Sequence, residues 1–257
     1  MHTKPFSIIL VNYRTKRLTS VCLELLKLNV DPERTDVVVV DNGSNDESLE
    51  YLRSLDWITL VERNQPEGEP PFISHGEALD EGMNYIRHRF VCLLHTDTFI
   101  HNPRIFDLLL QEIGTPGVAA VGSLDQRHRP IHRRLFRIGK RAFRYSVNMI
   151  KFKAGINAIP PKPFRDVYLK SFCCMWDADL IRKEKLFFSL NGQNPGYFMQ
   201  DELSKRGFKF IHLNTRLLFG FLDHVQSGTV VEANKAKHNP RRAKEYERVM
   251  LRISSTG

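Results

Sequence analysis

Apolar residues cluster into short unbroken runs separated by polar stretches of helical spacing. Phe6–Asn12 is almost wholly apolar, and Asp36–Asp41 encloses four consecutive valines. Ile58–Glu62, Val91–Leu94 (which then breaks into His95-Thr96-Asp97) and Val118–Gly122 continue the series. Runs of this length without alternation are the pattern of strands buried on both faces of a parallel sheet. Between them, Leu18, Val21, Cys22, Leu25 and Leu26 recur at helical spacing. The cluster Asn42-Gly43-Ser44-Asn45-Asp46 forms a turn and offers an N-cap to a helix around Ser48–Ser54. A helix led by His75–Gly82 and another at Phe106–Ile113 follow in the same rhythm. The pattern predicts an α/β fold, a mostly parallel sheet flanked by helices. Further on, Leu169–Trp176 is strand-like, Gly192–Met199 a loop, Asp201–Lys205 a short helix and Phe208–Leu213 a strand. Glu232–Arg252 is a polar, charged helix or tail.

Length and composition narrow this picture. The 257 residues suit one domain, with 42% hydrophobic content to fill its core. We divide it into a first half over 6–122, a second half over 123–229 and a tail over 230–257. The four cysteines contain no CxxC pair, and Cys173 and Cys174 are adjacent, which points to a reducing, cytoplasmic setting. No signal-peptide pattern opens the chain and no apolar run reaches about 18 residues, so no segment is expected to span a membrane.

Three strand ends carry polar residues: Asn12-Tyr13, Asp41-Asn42-Gly43-Ser44 and His95-Thr96-Asp97. In a doubly wound sheet the carboxyl ends of the strands converge on one ligand crevice. Tyr13 suits stacking on a nucleobase, Asp41 suits a base N–H or ribose hydroxyl, and Asp97 suits a metal on a diphosphate. Each also has a plain structural use, as a half-buried aromatic, a turn-former and a cap. If the strand continues through it, His95 and Asp97 point to one side.

Those three motifs together resemble the family 2 glycosyltransferases of GT-A fold, over roughly residues 6–229. The resemblance implies that Asp41 contacts the nucleotide and that Asp97 holds Mn²⁺ or Mg²⁺ on the donor diphosphate. His95 stands where the family has the first aspartate of Asp-x-Asp, so the site has one fewer negative charge. An imidazole there suits manganese better than magnesium, or contacts the sugar or ribose instead. The family's distal acidic motif appears as Gln200-Asp201-Glu202-Leu203. Aligned on the aspartate, it makes Asp201 the general base; aligned on the leucine, Glu202. We take Asp201. His224 resembles the family's late histidine, a metal ligand or phosphate contact, and Gln226–Thr229 offers donors to phosphate. Gly76 and Gly82 resemble the glycine-containing loop beside the nucleotide. Trp176 and Tyr197 fall where the acceptor binds, although both also suit core packing.

The charge departs from this plan. Residues 126–165 hold twelve Lys or Arg and no Asp or Glu; without those twelve the formal charge of +9 would become −3. Ile131, Leu135, Ile138, Ala142, Tyr145 and Met149 recur at helical spacing within this stretch, with arginine and lysine between them. Such a helix over about 131–153 suits an anionic membrane surface, or a solvated flank of the acceptor cleft. The partners expected are thus a nucleotide-diphosphate sugar, a glycan or polyprenyl-linked acceptor and the inner membrane face. Nucleic acid ranks low, because the charge sits in an insertion rather than on a recognition element. A sugar-phosphate nucleotidyltransferase would need a glycine-rich loop after the first strand, and Asn12–Thr15 has no glycine. An inactive sugar-nucleotide-binding relative is kept as an alternative by His95 and Gln200.

Overall fold

A computed structural model describes residues 4–66, 68–127, 131–156, 161, 164, 166–192, 194–225, 228–233 and 246–251. Gln226 and Ser227, three of the twelve basic residues (Arg129, Lys162 and Arg165) and 234–245 of the C-terminal stretch lie outside them.

The buried runs become strands β1 (Phe6–Asn12), β2 (Thr35–Asp41), β3 (Thr59–Glu62), β4 (Phe90–His95) and β6 (Val118–Gly122). With β7 (Cys173–Asp177) and β8 (Lys209–His212) they form a seven-stranded sheet in the order β3-β2-β1-β4-β7-β6-β8. Every pairing is parallel except those of β7, which runs antiparallel to β4 and to β6. The sheet is therefore mixed and mostly parallel. Strand alternation sends Ile8, Leu10, Val37 and Val39 to one core, and Ile9, Val38 and Val40 to the other. Helices α1 (Lys16–Asn29), α2 (Glu47–Arg53) and α4 (Arg104–Ile113) cover the first face. Helices α3 (Pro71–Gly82), α6 (Ala178–Lys183) and α7 (Tyr197–Lys205) cover the second.

One element, the start of α7, departs from the sequence reading, and two others follow it. The strand that begins at the apolar run ends at His95, where the sequence turns polar, and does not persist to Asp97: Thr96 and Asp97 form a turn, and β5 (Thr98–Ile100) leaves the main sheet to pair antiparallel with β9 (Leu222–His224). Polar side chains at a strand end compete for backbone partners and favour the break. Helix α7 starts at Tyr197, inside the expected loop, because Gly196 takes a left-handed φ of 78° just before it. The expected C-terminal helix is present among the described residues of that stretch. Residues 246–251 are helical, and Tyr246 and Met250 are buried in the first core. Helices α5 (Ile131–Lys153), α8 (Thr215–Leu218) and α9 (Gly228–Ala233) complete the described elements. Among the described residues, no helix is long and apolar enough to cross a membrane, and all four cysteines are buried free thiols.

Candidate active site

The carboxyl ends of β1, β2 and β4 do converge. Asn12 is the hub of the first two: its Nδ2 donates to Asp41 Oδ1 at 2.7 Å, with Ser44 and Ser48 hydroxyls at 3.1 and 3.0 Å. Its Oδ1 accepts from Thr19 and Thr15 at the start of α1. Asp41 also closes the turn after β2, accepting from the Ser44 backbone N–H at 2.9 Å and its hydroxyl at 2.6 Å. Both Asn12 and Asp41 are buried. Their side chains tie the β1 and β2 ends and α1 into one rigid wall. Tyr13 stands exposed at its rim with the Arg14 guanidinium over its ring.

The β4 end carries the densest cluster. Asp97 is 1% exposed. Its Oδ1 lies 3.3 Å from His224 Nδ1 and 3.8 Å from His95 Nδ1, and has no aligned hydrogen-bond donor. Its Oδ2 accepts from the Thr229 backbone N–H at 3.3 Å. Burial acts to raise the Asp97 carboxyl, but the neighbouring His224 ring, then the His95 ring and the Thr229 backbone N–H, outweigh it and hold the group below the usual range. His95 stacks edge-on between His75 and His224, and its Nε2 lies 3.0 Å from Ser171 Oγ. Burial pushes His95 down to about 3 against the pull of Asp97, and His75 down to about 4. Both are neutral imidazoles at pH 7. Thr96, beside Asp97, is buried against Thr15, its hydroxyl 3.5 Å from that of Thr15. Gly228 closes the cluster: a Cβ there would stand 2.9 Å from Asp97 Cβ, so only glycine lets α9 begin against the carboxylate.

The donor chemistry of this cluster fits a divalent ion. Asp97 Oδ1 is a buried acceptor without a hydrogen-bond partner, and His95 Nδ1 lies beside it. Thr98 Oγ1 donates to the Phe172 carbonyl at 3.1 Å, so the 3.0 Å contact with His224 Nδ1 uses a proton on that nitrogen. That leaves Nε2 as the His224 nitrogen able to bind an ion. Among the described residues no group of three or more His, Cys, Asp or Glu forms a metal site alone. An ion held here would complete its shell with water and diphosphate oxygens, as Mg²⁺ commonly does.

The distal acidic pair separates clearly. Tyr168 Oη donates to both Asp201 oxygens, at 3.0 and 2.9 Å. Tyr168 is stacked on Tyr197, whose hydroxyl meets Lys170 Nζ at 2.5 Å. Glu202 instead pairs with Lys205 at 2.6 Å and Arg206 at 3.8 Å, and the Lys205 ammonium holds it below the usual range. Gln200 is buried and chelates the Leu169 backbone, accepting from its N–H at 2.8 Å.

Two expected contacts are not brought to the crevice. Trp176 is 2% exposed and packs edge-on against Phe188 and Phe210, a core aromatic beneath Gly196. Gly76 lies against the Ser189 backbone, where a Cβ would approach Ser189 Cα to 2.8 Å; its glycine serves helix packing.

The segment Tyr168–Phe172, which carries no motif, links both halves of the site. Tyr168 holds Asp201, Leu169 is held by Gln200, Lys170 meets Tyr197, Ser171 meets His95, and Phe172 stacks on His224 with ring centroids 4.6 Å apart. Its only sequence signal is the run of polar and aromatic residues just before β7.

The family model described as glycosyl transferase family 2 matches residues 7–170. The fold is similar to the mannosyltransferase PcManGT from Pyrobaculum calidifontis, solved with GDP-Man and Mn2+. That match has a TM-score of 0.57 and 16% identity, and covers 97% of this chain and 70% of that one. It is also similar to S. aureus TarS 1-349, at TM-score 0.54 and 13% identity over 94% of this chain and 69% of that one. TarS solved with UDP-GlcNAc matches at 0.51 and 14%. No curated protein matches the chain. The mixed sheet, the converging strand ends and a family match over well more than half the length agree, and the chain belongs to glycosyl transferase family 2, with a GT-A fold.

Proposed function

We propose that this glycosyltransferase is inverting and moves a sugar from a nucleotide-diphosphate donor to a hydroxyl of a glycan or polyprenyl-linked glycan, in cell-surface polysaccharide synthesis at the cytoplasmic membrane face. The donor nucleotide is UDP or dTDP; GDP enters the comparison because a relative of similar fold was solved with GDP-Man. The observation that carries the reading is the Tyr168–Phe172 segment. Its five residues touch Asp201 at one end and the His95–His224 cluster at the other, and four Cα steps cover at most about 15 Å. That span suits a base and a diphosphate site flanking one sugar.

Tyr13 and Arg14 at the rim receive the base, on a wall that Asn12 and Asp41 hold rigid. Asp97, with His95 and His224, would hold Mn²⁺ or Mg²⁺ against the diphosphate. A bound ion neutralises charge on the departing nucleoside diphosphate. Asp201 takes the proton of the acceptor hydroxyl as that oxygen bonds to the anomeric carbon. The bond from that carbon to the diphosphate breaks, and its electron pair leaves with the nucleotide. Inversion follows from the single displacement. Tyr197, stacked beside Tyr168, borders the acceptor. Asp201 suits the base better than Glu202, because Glu202 is committed to two cations while Asp201 has only a phenol partner to release.

Asp201→Asn is expected to lower kcat by about 100-fold or more while leaving donor binding unchanged, and Glu202→Gln to alter kcat only a few-fold. Steady-state kinetics of both variants checks this. The reverse ranking would move the base to Glu202.

A further inference from the structure

Helix α5 carries two apolar faces, and among the described residues only one is packed against the fold. On its inner side Arg137 pairs with Asp125, Arg141 donates to Asp166 at 2.7 Å, and Tyr145 packs against Phe164 with centroids 5.8 Å apart. The outer side carries Phe136, Phe143 and Ile150, which are 76%, 73% and 68% exposed. These residues are seven apart, so they form one ridge along the helix, drifting only about 20° per interval. Leu135 stands exposed beside the first of them. Along one flank of the ridge lie the exposed cations Arg133, Lys140, Arg144 and Lys151. At about 100° per residue they form a line parallel to the ridge, and the helix contains no acidic residue. An apolar ridge edged by cations is complementary to one kind of surface: acyl chains beneath anionic headgroups.

We propose that α5 docks this protein on an anionic lipid surface. Phe136, Phe143 and Ile150 enter the headgroup–acyl boundary, and Lys140 and Arg144 contact lipid phosphates. The inner face transmits the position. Arg141 holds Asp166, two residues before the Tyr168 that holds Asp201, so the candidate base stands close to the docked helix and a lipid-borne acceptor meets it at the membrane. The docking itself rests on α5 alone and does not depend on the donor reading.

The test is vesicle flotation of the full chain without nucleotide, using phosphatidylcholine vesicles and vesicles of equal parts phosphatidylcholine and phosphatidylglycerol. The wild type is expected to float with the anionic vesicles and not with the neutral ones, and to be released at about 1 M salt, where screening reaches about 3 Å. F136D/F143D/I150D and, separately, K140E/R144E are expected to lower partitioning by about tenfold or more. Thermal unfolding midpoints near wild type would show that these exposed changes leave the fold intact. Absence of flotation would overturn the proposal. Flotation that survives the triple aspartate change would also overturn it, since charge alone would then act as on any polyanion. A self-association lost in the triple variant, with no vesicle binding, would assign the ridge to a second copy of the chain.

Discussion

Asn12 satisfies five polar neighbours with one side-chain amide, and this decides what is left to meet a ligand. Its partners Asp41, Ser44 and Ser48 are consumed in mutual hydrogen bonds, so the groups facing outward are those at the rim, Tyr13 and Arg14. Buried polar networks of this kind are costly unless complete, and this one is complete. Trp176 shows the converse. Packed between Phe188 and Phe210, it contributes to the core, and Trp176→Ala is expected to lower the unfolding free energy by about 3–5 kcal/mol. Urea titration measures this. A change in acceptor KM at unchanged stability would instead place the indole on the acceptor. In the sequence, Trp176 reads as a core aromatic first and a sugar platform second, and only the residues packed across the sheet distinguish the two.

At the scale of elements, β1, β2, β4 and β6 were legible because each is a buried apolar run of five to seven residues with turn signals after it. The reversed direction of β7 was not, since pairing direction leaves no mark on a short buried strand. The break at Thr96-Asp97 was legible as the point where the apolar run turns polar, whereas the linking role of Tyr168–Phe172, set by long-range contacts, was hidden. Helix α5 was half legible: the stripe of Leu135, Ile138, Ala142, Tyr145 and Met149 emerges from spacing, yet Ile138, Tyr145 and Met149 are half-buried and the aromatic ridge lies elsewhere on the helix. Helix α3 supplies a prediction of its own. His75 is held neutral to about pH 4 by burial, with Nε2 buried and without a partner. Between its ordinary value near 6.5 and about 4, the unfolded chain takes up a proton that the folded chain does not. Stability therefore falls as pH falls through that window and is undiminished above it. Urea unfolding across the window should give a shallower pH slope for His75→Phe than for wild type, with His95 accounting for part of the residual slope. Coincident slopes would contradict the burial argument.

For the whole molecule, the sheet brings three strand ends to one crevice, and a fourth element, the approach to β7, joins that crevice to Asp201. The convergence of the β1, β2 and β4 ends was readable from the polar residues that follow their apolar runs, whereas the proposed base came only from the resemblance of Gln200–Leu203 to the family's distal acidic motif. The histidine surroundings of Asp97 were readable only in part: His95, His224 and the His75-Gly76-Glu77 stretch stand in motifs that resemble the family's, whereas the edge-on contact of His75 with His95 depends on the packing of α3. The central claim is that Asp97 anchors a nucleoside diphosphate at the β4 end. Calorimetric titration of UDP, dTDP and GDP, each with and without Mn²⁺, into the wild type and Asp97→Ala tests it most directly. The account predicts metal-dependent binding of one nucleotide, lost in Asp97→Ala. Binding of none of the three under any condition, or binding that Asp97→Ala leaves intact, would contradict it.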